Sequence, residues 1–191
     1  MIIISSYGFR KPFISEKLRK IINEPEKKKV LLIPFAGYEL SCAALSESRG
    51  LELFGFHKEN IYVLKKDEPQ KYFDVKFDLI YTSGGYPFKL LKEVQEGNFM
   101  PWLKKIIGDG VDYFGVSSGA CLLCEDLYYL KQIGGNDEEN YNLTDYRGMG
   151  VIKENILCHA DYFDKEIVGS INYASDKNVI MVKNEDVLVI K

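Results

Sequence analysis

Histidine is scarce in this chain, and neither sign of charge dominates it. The 191 residues include 2 histidines, and 25 lysines and arginines stand against 28 aspartates and glutamates, for a net charge of −3. This balance argues against a protein that binds nucleic acid through bulk electrostatics. No apolar run approaches the roughly 20 residues of a membrane-spanning helix, so we expect no membrane segment. The apolar residues 1–6 lack the basic flank of a secretion signal and predict a first strand.

Cysteine is also sparse, and its spacing does not favour a metal site. Cys121 and Cys124 form a C-x-x-C pair, but apolar residues at helical spacing surround them. The other two cysteines, Cys42 and Cys158, stand far from this pair, whereas a zinc site needs four ligands at matched spacing. We therefore expect reduced core cysteines in a cytoplasmic protein, without a metal or a cofactor, and a redox or metal role is the alternative.

Apolar strands and amphipathic helices alternate along the chain. This alternation predicts a single α/β domain over residues 1–191, with a mostly parallel sheet and helices on both faces. The ligand site of such a sheet lies beyond the carboxyl ends of its strands. Two apolar runs near the end of the chain predict a closing β-hairpin. The predicted strands are 1–6, 30–34, 60–64, 77–81, 111–116, 155–159, 178–182 and 187–190, and the predicted helices include 12–22, 39–53, 88–96 and 101–107.

A G-x-S-x-G sequence lies between a predicted buried strand and a helix. Residues 115–119 read Gly-Val-Ser-Ser-Gly. A side chain at the tip of a sharp strand-to-helix turn projects into the cleft, and its neighbours must be small. Ser117 is therefore the candidate nucleophile, and the backbone N–H of Ser118 is a candidate donor to the oxyanion. The alternative is a tight Gly/Ser turn without chemistry.

A nucleophilic serine needs a base, and only two histidines are available. His159 ends a predicted strand and therefore faces the same edge of the sheet as Ser117. His57 lies in a polar connection and is expected at the surface. A second oxyanion donor is expected from the turn that contains Gly84 and Gly85, because glycine lets the backbone approach a ligand closely.

The third member of the triad should be a carboxylate that orients the imidazole. Asp137 is our choice, since it follows a Gly-Gly-Asn turn from which a loop can fold back to the site, and Glu138 comes next. Asp161 is a weaker candidate. The other acids between the serine and the histidine are Glu125, Asp126, Glu139 and Asp145, of which the first two should lie too far round their helix.

Four ordered motifs resemble the dipeptidase E-like serine peptidases, the family of α-aspartyl dipeptidase and cyanophycinase. Residues 30–37 resemble the second strand of that family, with its I-P-[YF]-A-G ending, and residues 83–91 resemble G-G-G-N-T-F-x-L-L. Residues 115–120 resemble G-x-S-A-G-A, and residues 148–159 resemble the stretch that leads to the family's histidine. The resemblance implies a flavodoxin-like three-layer sandwich, similar to that of class I glutamine amidotransferases.

The resemblance also assigns roles to particular residues. It implies that Ser117 is the nucleophile, that His159 is the base, and that Gly85 and Ser118 form the oxyanion hole, with Gly84 beside them. Residues 86–87 are Tyr-Pro where the family has Asn-Thr, and Ser118 replaces an alanine. The change at residues 86–87 alters the loop beside the oxyanion hole, and no arginine is placed to pair with an aspartate of the substrate.

The sequence therefore predicts a serine hydrolase that cleaves a peptide or amide bond in a small peptide, through a Ser-His-acid triad and an acyl-enzyme. One alternative is an esterase of the α/β-hydrolase type, and another is an inactive relative that binds a small molecule. A glutaminase is disfavoured because that chemistry uses a cysteine at the position of Ser117. We expect the protein to bind a small peptide substrate and to bind neither nucleic acid nor a membrane. The sequence does not decide whether the chain forms a homodimer.

Overall fold

The computed structural model describes residues 1–133, 141–175 and 177–190. Within them, six strands form one sheet in the order β3-β2-β4-β5-β1-β8, and β6 pairs with β7 in a separate small sheet. The strands are β1 (Ile2–Ser5), β2 (Val30–Ile33), β3 (Ile61–Val63), β4 (Leu79–Thr82), β5 (Asp112–Val116), β6 (Asn155–Cys158), β7 (Val179–Val182) and β8 (Val187–Ile190). The helices are α1 (Pro12–Leu18), α2 (Leu40–Phe54), α3 (Gln70–Phe73), α4 (Pro87–Glu96), α5 (Met100–Gly108), α6 (Ser118–Cys121) and α7 (Lys165–Ser175).

The large sheet is mostly parallel, as the alternation of strands and helices predicted. Strands β3, β2, β4, β5 and β1 pair in parallel, and only β8 joins antiparallel, against β1. Because β-strand side chains alternate between faces, each buried strand supplies both layers of the core. The α/β prediction is therefore confirmed.

Two apolar clusters cover the two faces of this sheet. On one face, Leu32 of β2 packs in a cluster with Leu18 of α1 and Leu51 of α2. On the other face, Leu31 of β2 belongs to a cluster with Leu91 of α4 and with residues of α5 and α6. All four residues of β2 are buried, which explains why this strand is an unbroken apolar run. The result is a three-layer arrangement of helices, sheet and helices.

The predicted C-terminal hairpin is corrected in one respect. Strand β7 pairs in parallel with β6, and β8 pairs antiparallel with β1, so the two strands lie in different sheets. The turn between them therefore carries the chain from the small sheet to the edge of the large one. Strand β8 covers the open edge of β1, which would otherwise expose unpaired backbone groups.

The carboxyl ends of β1, β4 and β5 meet at one edge of the sheet, since neighbouring parallel strands run in the same direction. The loops after these strands contain Ser6, Gly84 and Ser117. Among the helices that the structure describes, none has the length and apolar character needed to cross a membrane.

Candidate active site

Ser117 occupies a sharp turn between β5 and α6. Its backbone angles are φ 51° and ψ −116°, a conformation that residues with a side chain rarely adopt. Its N–H donates to the Ser5 carbonyl at 2.9 Å, which fixes the turn to the end of β1. A Cβ atom at Gly119 would lie 2.3 Å from the Thr82 carbonyl oxygen, so only glycine allows this approach of helix to strand. The strain and the close packing are those of a nucleophile turn.

Two adjacent cavities open on this serine. The first, which we call the polar cleft, has a volume of about 530 Å³, and the second, the apolar cavity, has about 230 Å³. Gly85, Ser117 and His159 line both cavities. The polar cleft is also lined by Ser6, Tyr7, Gly8, Arg10, Lys11, Glu47, Tyr81, Gly84 and Val116, and the apolar cavity by Pro87, Ser118, Cys121, Leu130, Ile133, Cys158 and Phe163.

His159 follows directly after β6 and lies in the left-handed region, at φ 57°. Its N–H donates to the Oγ of Ser6 at 2.8 Å. The imidazole packs edge-on against the ring of Tyr7, with 5.0 Å between the ring centres, and stacks on Tyr162 at 5.9 Å. The backbone bond and the two rings restrict where the imidazole can turn.

Ser6 links the small sheet to the large one. This buried serine follows β1, and its hydroxyl donates to the Val182 carbonyl at the end of β7, at 3.0 Å. The same oxygen accepts the N–H of His159, so one side chain aligns the ends of β1, β6 and β7. The histidine is thereby held next to the turn that carries Ser117.

Asn184 supplies the contact that orients the imidazole. Its Oδ1 lies 2.8 Å from Nδ1 of His159. Its own N–H donates to Oδ2 of Asp161 at 2.6 Å, which holds the asparagine in place. The contact with the amide oxygen is a hydrogen bond in the tautomer whose Nδ1 carries the hydrogen, and in that tautomer Nε2 is the acceptor for a proton. This is the tautomer that a general base requires.

The glycine-rich turn after β4 forms the wall of both cavities. Gly85 has a φ of +144°, and a Cβ atom there would lie 2.2 Å from the Ala36 carbonyl oxygen. The following N–H, of Tyr86, donates to that same oxygen at 2.8 Å. Gly84 lines the polar cleft, and Ser118 lines the apolar cavity. The turn can therefore present backbone groups to a molecule bound at the serine.

Comparison with known proteins identifies the family of this chain. The sequence model of peptidase family S51 matches residues 1–191. The chain belongs to peptidase family S51. This membership confirms the resemblance to the dipeptidase E-like peptidases that the four motifs indicated.

Curated relatives of this S51 chain carry peptidase names. An uncharacterized peptidase of Listeria monocytogenes is 27% identical over 119 residues, which cover 61% of this chain and 58% of the relative. Peptidase E of Pasteurella multocida is 29% identical over 113 residues, which cover 54% of this chain and 44% of the relative. The matched part thus spans about half the length of these relatives.

Solved structures share the fold. A crystal structure assigned as a peptidase E of Listeria monocytogenes superposes on this chain with a TM-score of 0.79 at 22% identity. The superposition covers 99% of this chain and 93% of the Listeria chain. The crystal structure of a peptidase from an acI-B1 actinobacterium gives a TM-score of 0.65 at 18% identity, and the superposition covers 100% of this chain and 82% of that peptidase chain. The three-layer fold of this S51 member is therefore shared with peptidases.

The predicted carboxylate partner of the histidine is not among the acids that the structure describes at the site. Asp137 and its alternatives Glu138 and Glu139 lie outside the described residues. Three other candidates point elsewhere: Glu125 pairs with Lys177, Asp126 accepts the N–H of Tyr128, and Asp145 pairs with Arg147. The Arg147 side chain lowers the pKa of Asp145 to about 2. Among the named acids that lie within residues 1–133, 141–175 and 177–190, only Asp161 reaches the histidine, through the backbone of Asn184.

Two buried thiols near the site, those of Cys121 and Cys124, have raised pKa values. A hydrogen bond with Cys158 and burial both raise the pKa of Cys121, and burial raises that of Cys124 to about 12. A thiol with a raised pKa is a poor nucleophile and a poor metal ligand. Cys42 is exposed, contrary to the expectation of a core residue, because it lies on the outer face of α2. Within the described residues, no cluster of three potential metal ligands occurs.

Several residues that shape the site were not singled out from the sequence. Ser6 and Tyr7 follow β1 and lie at the predicted ligand edge, so their position after a parallel strand was a usable signal. Asn184 was missed because only carboxylates were considered as partners of the histidine. His57, by contrast, is exposed as expected, with 58% of its side chain accessible.

Ser118→Ala is expected to leave hydrolysis intact and to raise stability by about 1 kcal/mol. The Ser118 hydroxyl is buried and has no hydrogen-bond partner among the described residues. Removing a buried polar group without a partner relieves its desolvation cost, and the backbone N–H of residue 118 is kept. Denaturant unfolding and kcat/KM on one peptide measure the two effects. A large loss of activity would mean that this hydroxyl contacts the substrate.

Proposed function

We propose that this S51 member is a serine peptidase that cleaves a peptide or amide bond in a small peptide. The observation that carries the proposal is that Ser117 and His159 line the same two cavities, with Nδ1 of the histidine held by Asn184. The strained turn at Ser117 and the names of the relatives support the same chemistry. We place this activity in the cytoplasm, in keeping with the free thiols.

The first half of the proposed reaction forms an acyl-enzyme. Oγ of Ser117 attacks the carbonyl carbon of the bond to be cleaved, while Nε2 of His159 accepts the hydroxyl proton of the serine. The resulting oxyanion accepts hydrogen bonds from the backbone N–H groups of Gly85 and Ser118, the two predicted donors. The imidazolium then gives its proton to the leaving amine as the C–N bond breaks.

The second half of the reaction releases the carboxylic acid product from the acyl-enzyme. His159 takes a proton from water, whose oxygen attacks the ester carbon of the acyl-enzyme, and the same oxyanion contacts form again. The proton returns to Oγ of Ser117 as the ester bond breaks. During both halves Asn184 keeps Nδ1 protonated and Nε2 directed toward the serine. Asp137, the acid expected from the sequence, remains a prediction.

A dipeptide-library screen of the wild type and the Ser117→Ala variant tests this function. The wild type should release free amino acids from at least one dipeptide, and the variant should release none. A fluorophosphonate probe should label the wild type at Ser117 alone. Hydrolysis of p-nitrophenyl esters without hydrolysis of any peptide would favour the esterase alternative, and neither labelling nor hydrolysis would favour the inactive binding relative.

A further inference from the structure

The apolar cavity has walls that the proposed chemistry does not use. Leu130 and Ile133 come from the 3₁₀ segment Tyr128–Ile133, Pro87 begins α4, and Phe163 follows the short turn after β6. The side chains of these four residues carry no polar atom. Contact with an apolar group of a ligand would therefore be favourable, because it removes apolar surface of both partners from water.

A buried tyrosine fixes one of these walls relative to β6. The hydroxyl of Tyr129 donates to the Ile156 carbonyl at 2.7 Å, and its oxygen accepts the N–H of the same residue at 3.2 Å. Tyr129 and its neighbour Leu130 are both buried in the 3₁₀ segment. Since β6 leads directly into His159, the same strand holds the wall and the base. The cavity is therefore formed before a ligand binds, which lowers the cost of binding.

The two cavities differ in charge. In the part of the chain that the structure describes, no lysine, arginine, aspartate or glutamate lines the apolar cavity. The polar cleft, by contrast, is lined by Arg10, Lys11 and Glu47. A charged side chain placed in the apolar cavity loses hydration without gaining an ion pair, which is costly. The apolar cavity therefore discriminates against acidic and basic side chains.

The volume of the apolar cavity suits a single side chain. It measures about 230 Å³, whereas sites for a whole small molecule measure about 300–1,000 Å³. An apolar cavity of about 150 Å³ in another protein binds benzene, so a leucine or phenylalanine side chain fits this one. Ser117 and His159 line the same cavity, which places that side chain next to the bond to be cleaved.

The residues around the cavity favour the acyl side of the substrate. Helix α6 supplies Ser118, whose N–H is the predicted donor to the oxyanion, and Cys121 of the cavity wall. Ser6 and Tyr7, which contact His159, line the polar cleft instead. The acyl carbon is held at the oxyanion donors, and the leaving amine takes its proton from the histidine. The residue that provides the acyl group therefore lies nearer to the apolar cavity.

We propose that the apolar cavity binds the side chain of the acyl residue, and that this S51 member prefers leucine, methionine or phenylalanine there to aspartate or lysine. This inference rests on the proposed peptidase function and specifies its substrate class. The preference follows from the apolar walls, the absence of charge among the lining residues that the structure describes, and the volume.

The test uses two series of dipeptides. In the first series alanine is the second residue, and the first residue is leucine, phenylalanine, asparagine, aspartate or lysine. The second series reverses the order. We expect kcat/KM of the wild type for Leu-Ala to exceed that for Asn-Ala by about 10- to 100-fold, the range for burial of one large apolar side chain. The ratio to Asp-Ala should be larger still, because aspartate must also lose the hydration of its charge.

Ile133→Arg should change this preference. A guanidinium at the cavity wall can pair with the carboxylate of aspartate, so kcat/KM for Asp-Ala should rise about 10-fold while that for Leu-Ala falls. Ile106→Arg is the matched control. Ile106 of α5 is also partly buried against the same apolar cluster, but it is not among the residues that line the apolar cavity. It should leave both values unchanged, and thermal melting shows whether each variant is folded.

The outcomes separate the two proposals. Faster cleavage of Asp-Ala than of Leu-Ala by the wild type, with labelling at Ser117, overturns the apolar subsite and leaves the peptidase standing. A preference for apolar residues only in the second series overturns the assignment to the acyl side. A folded Ile133→Arg variant with the wild-type ratio also overturns the subsite, and the wild-type comparison decides if that variant does not fold. Absence of both labelling and cleavage overturns the peptidase, and the subsite falls with it.

Discussion

Ser117→Ala is expected to abolish peptide hydrolysis and fluorophosphonate labelling in a protein that remains folded. Loss of a serine nucleophile lowers kcat by roughly 10⁴- to 10⁶-fold, because the remaining site can only bind and polarise the carbonyl. Alanine keeps the Cβ atom, so it adds no strain at the φ of 51°. Steady-state hydrolysis of the dipeptide found in the screen gives the loss, and mass spectrometry of the labelled protein locates the adduct.

Ser118→Ala is the internal control for this result. The two serines are adjacent, but only Ser117 occupies the tip of the turn, and Ser118 is buried in α6. Labelling that persists in Ser117→Ala and disappears in Ser118→Ala would show that Ser118, and not Ser117, is the nucleophile. Full activity of Ser117→Ala would show that the reaction does not proceed through an acyl-enzyme at this position.

Asn184→Ala is expected to lower kcat by roughly 10²- to 10⁴-fold with little change in KM. The asparagine contacts Nδ1 of His159 at 2.8 Å and does not line either cavity, so it acts by positioning the base. Without it, the imidazole can take the wrong tautomer or turn away, an effect that costs serine peptidases up to about 10⁴-fold. A rise in KM without loss of kcat would contradict this positioning role.

Asn184→Asp distinguishes positioning from mere structural support. Aspartate retains an oxygen for Nδ1 and adds a negative charge that favours the imidazolium. Because the reaction needs a neutral imidazole, Asn184→Asp should regain most of the activity that Asn184→Ala loses, and the acidic limb of its rate profile should lie at higher pH than that of the wild type. An unshifted profile would show that residue 184 does not contact the base during turnover.

Local sequence predicted the elements of the fold and the nucleophile turn. Buried apolar runs predicted β2 and β5, and the G-x-S-x-G pattern predicted the strand-turn-helix at Ser117, since these signals depend on residues close together in the chain. The hairpin prediction failed to assign the partners of β7 and β8, because pairing partners depend on which sheet edges remain open. Both strands are apolar, and their sequences fit either arrangement.

The sequence by itself determined an α/β chain of family S51 with a serine at a tight turn and a histidine after a late strand. Only the tertiary structure decided what surrounds that histidine. Ser6, Tyr7 and Asn184 come from segments about 150 residues before it and 25 after it, and they meet at His159 through long-range hydrogen bonds and ring packing. Such contacts depend on the relative position of two sheets, which no local pattern encodes. The same holds for Glu47 and Arg10, whose charges share the cleft because α2 packs beside the loop after β1.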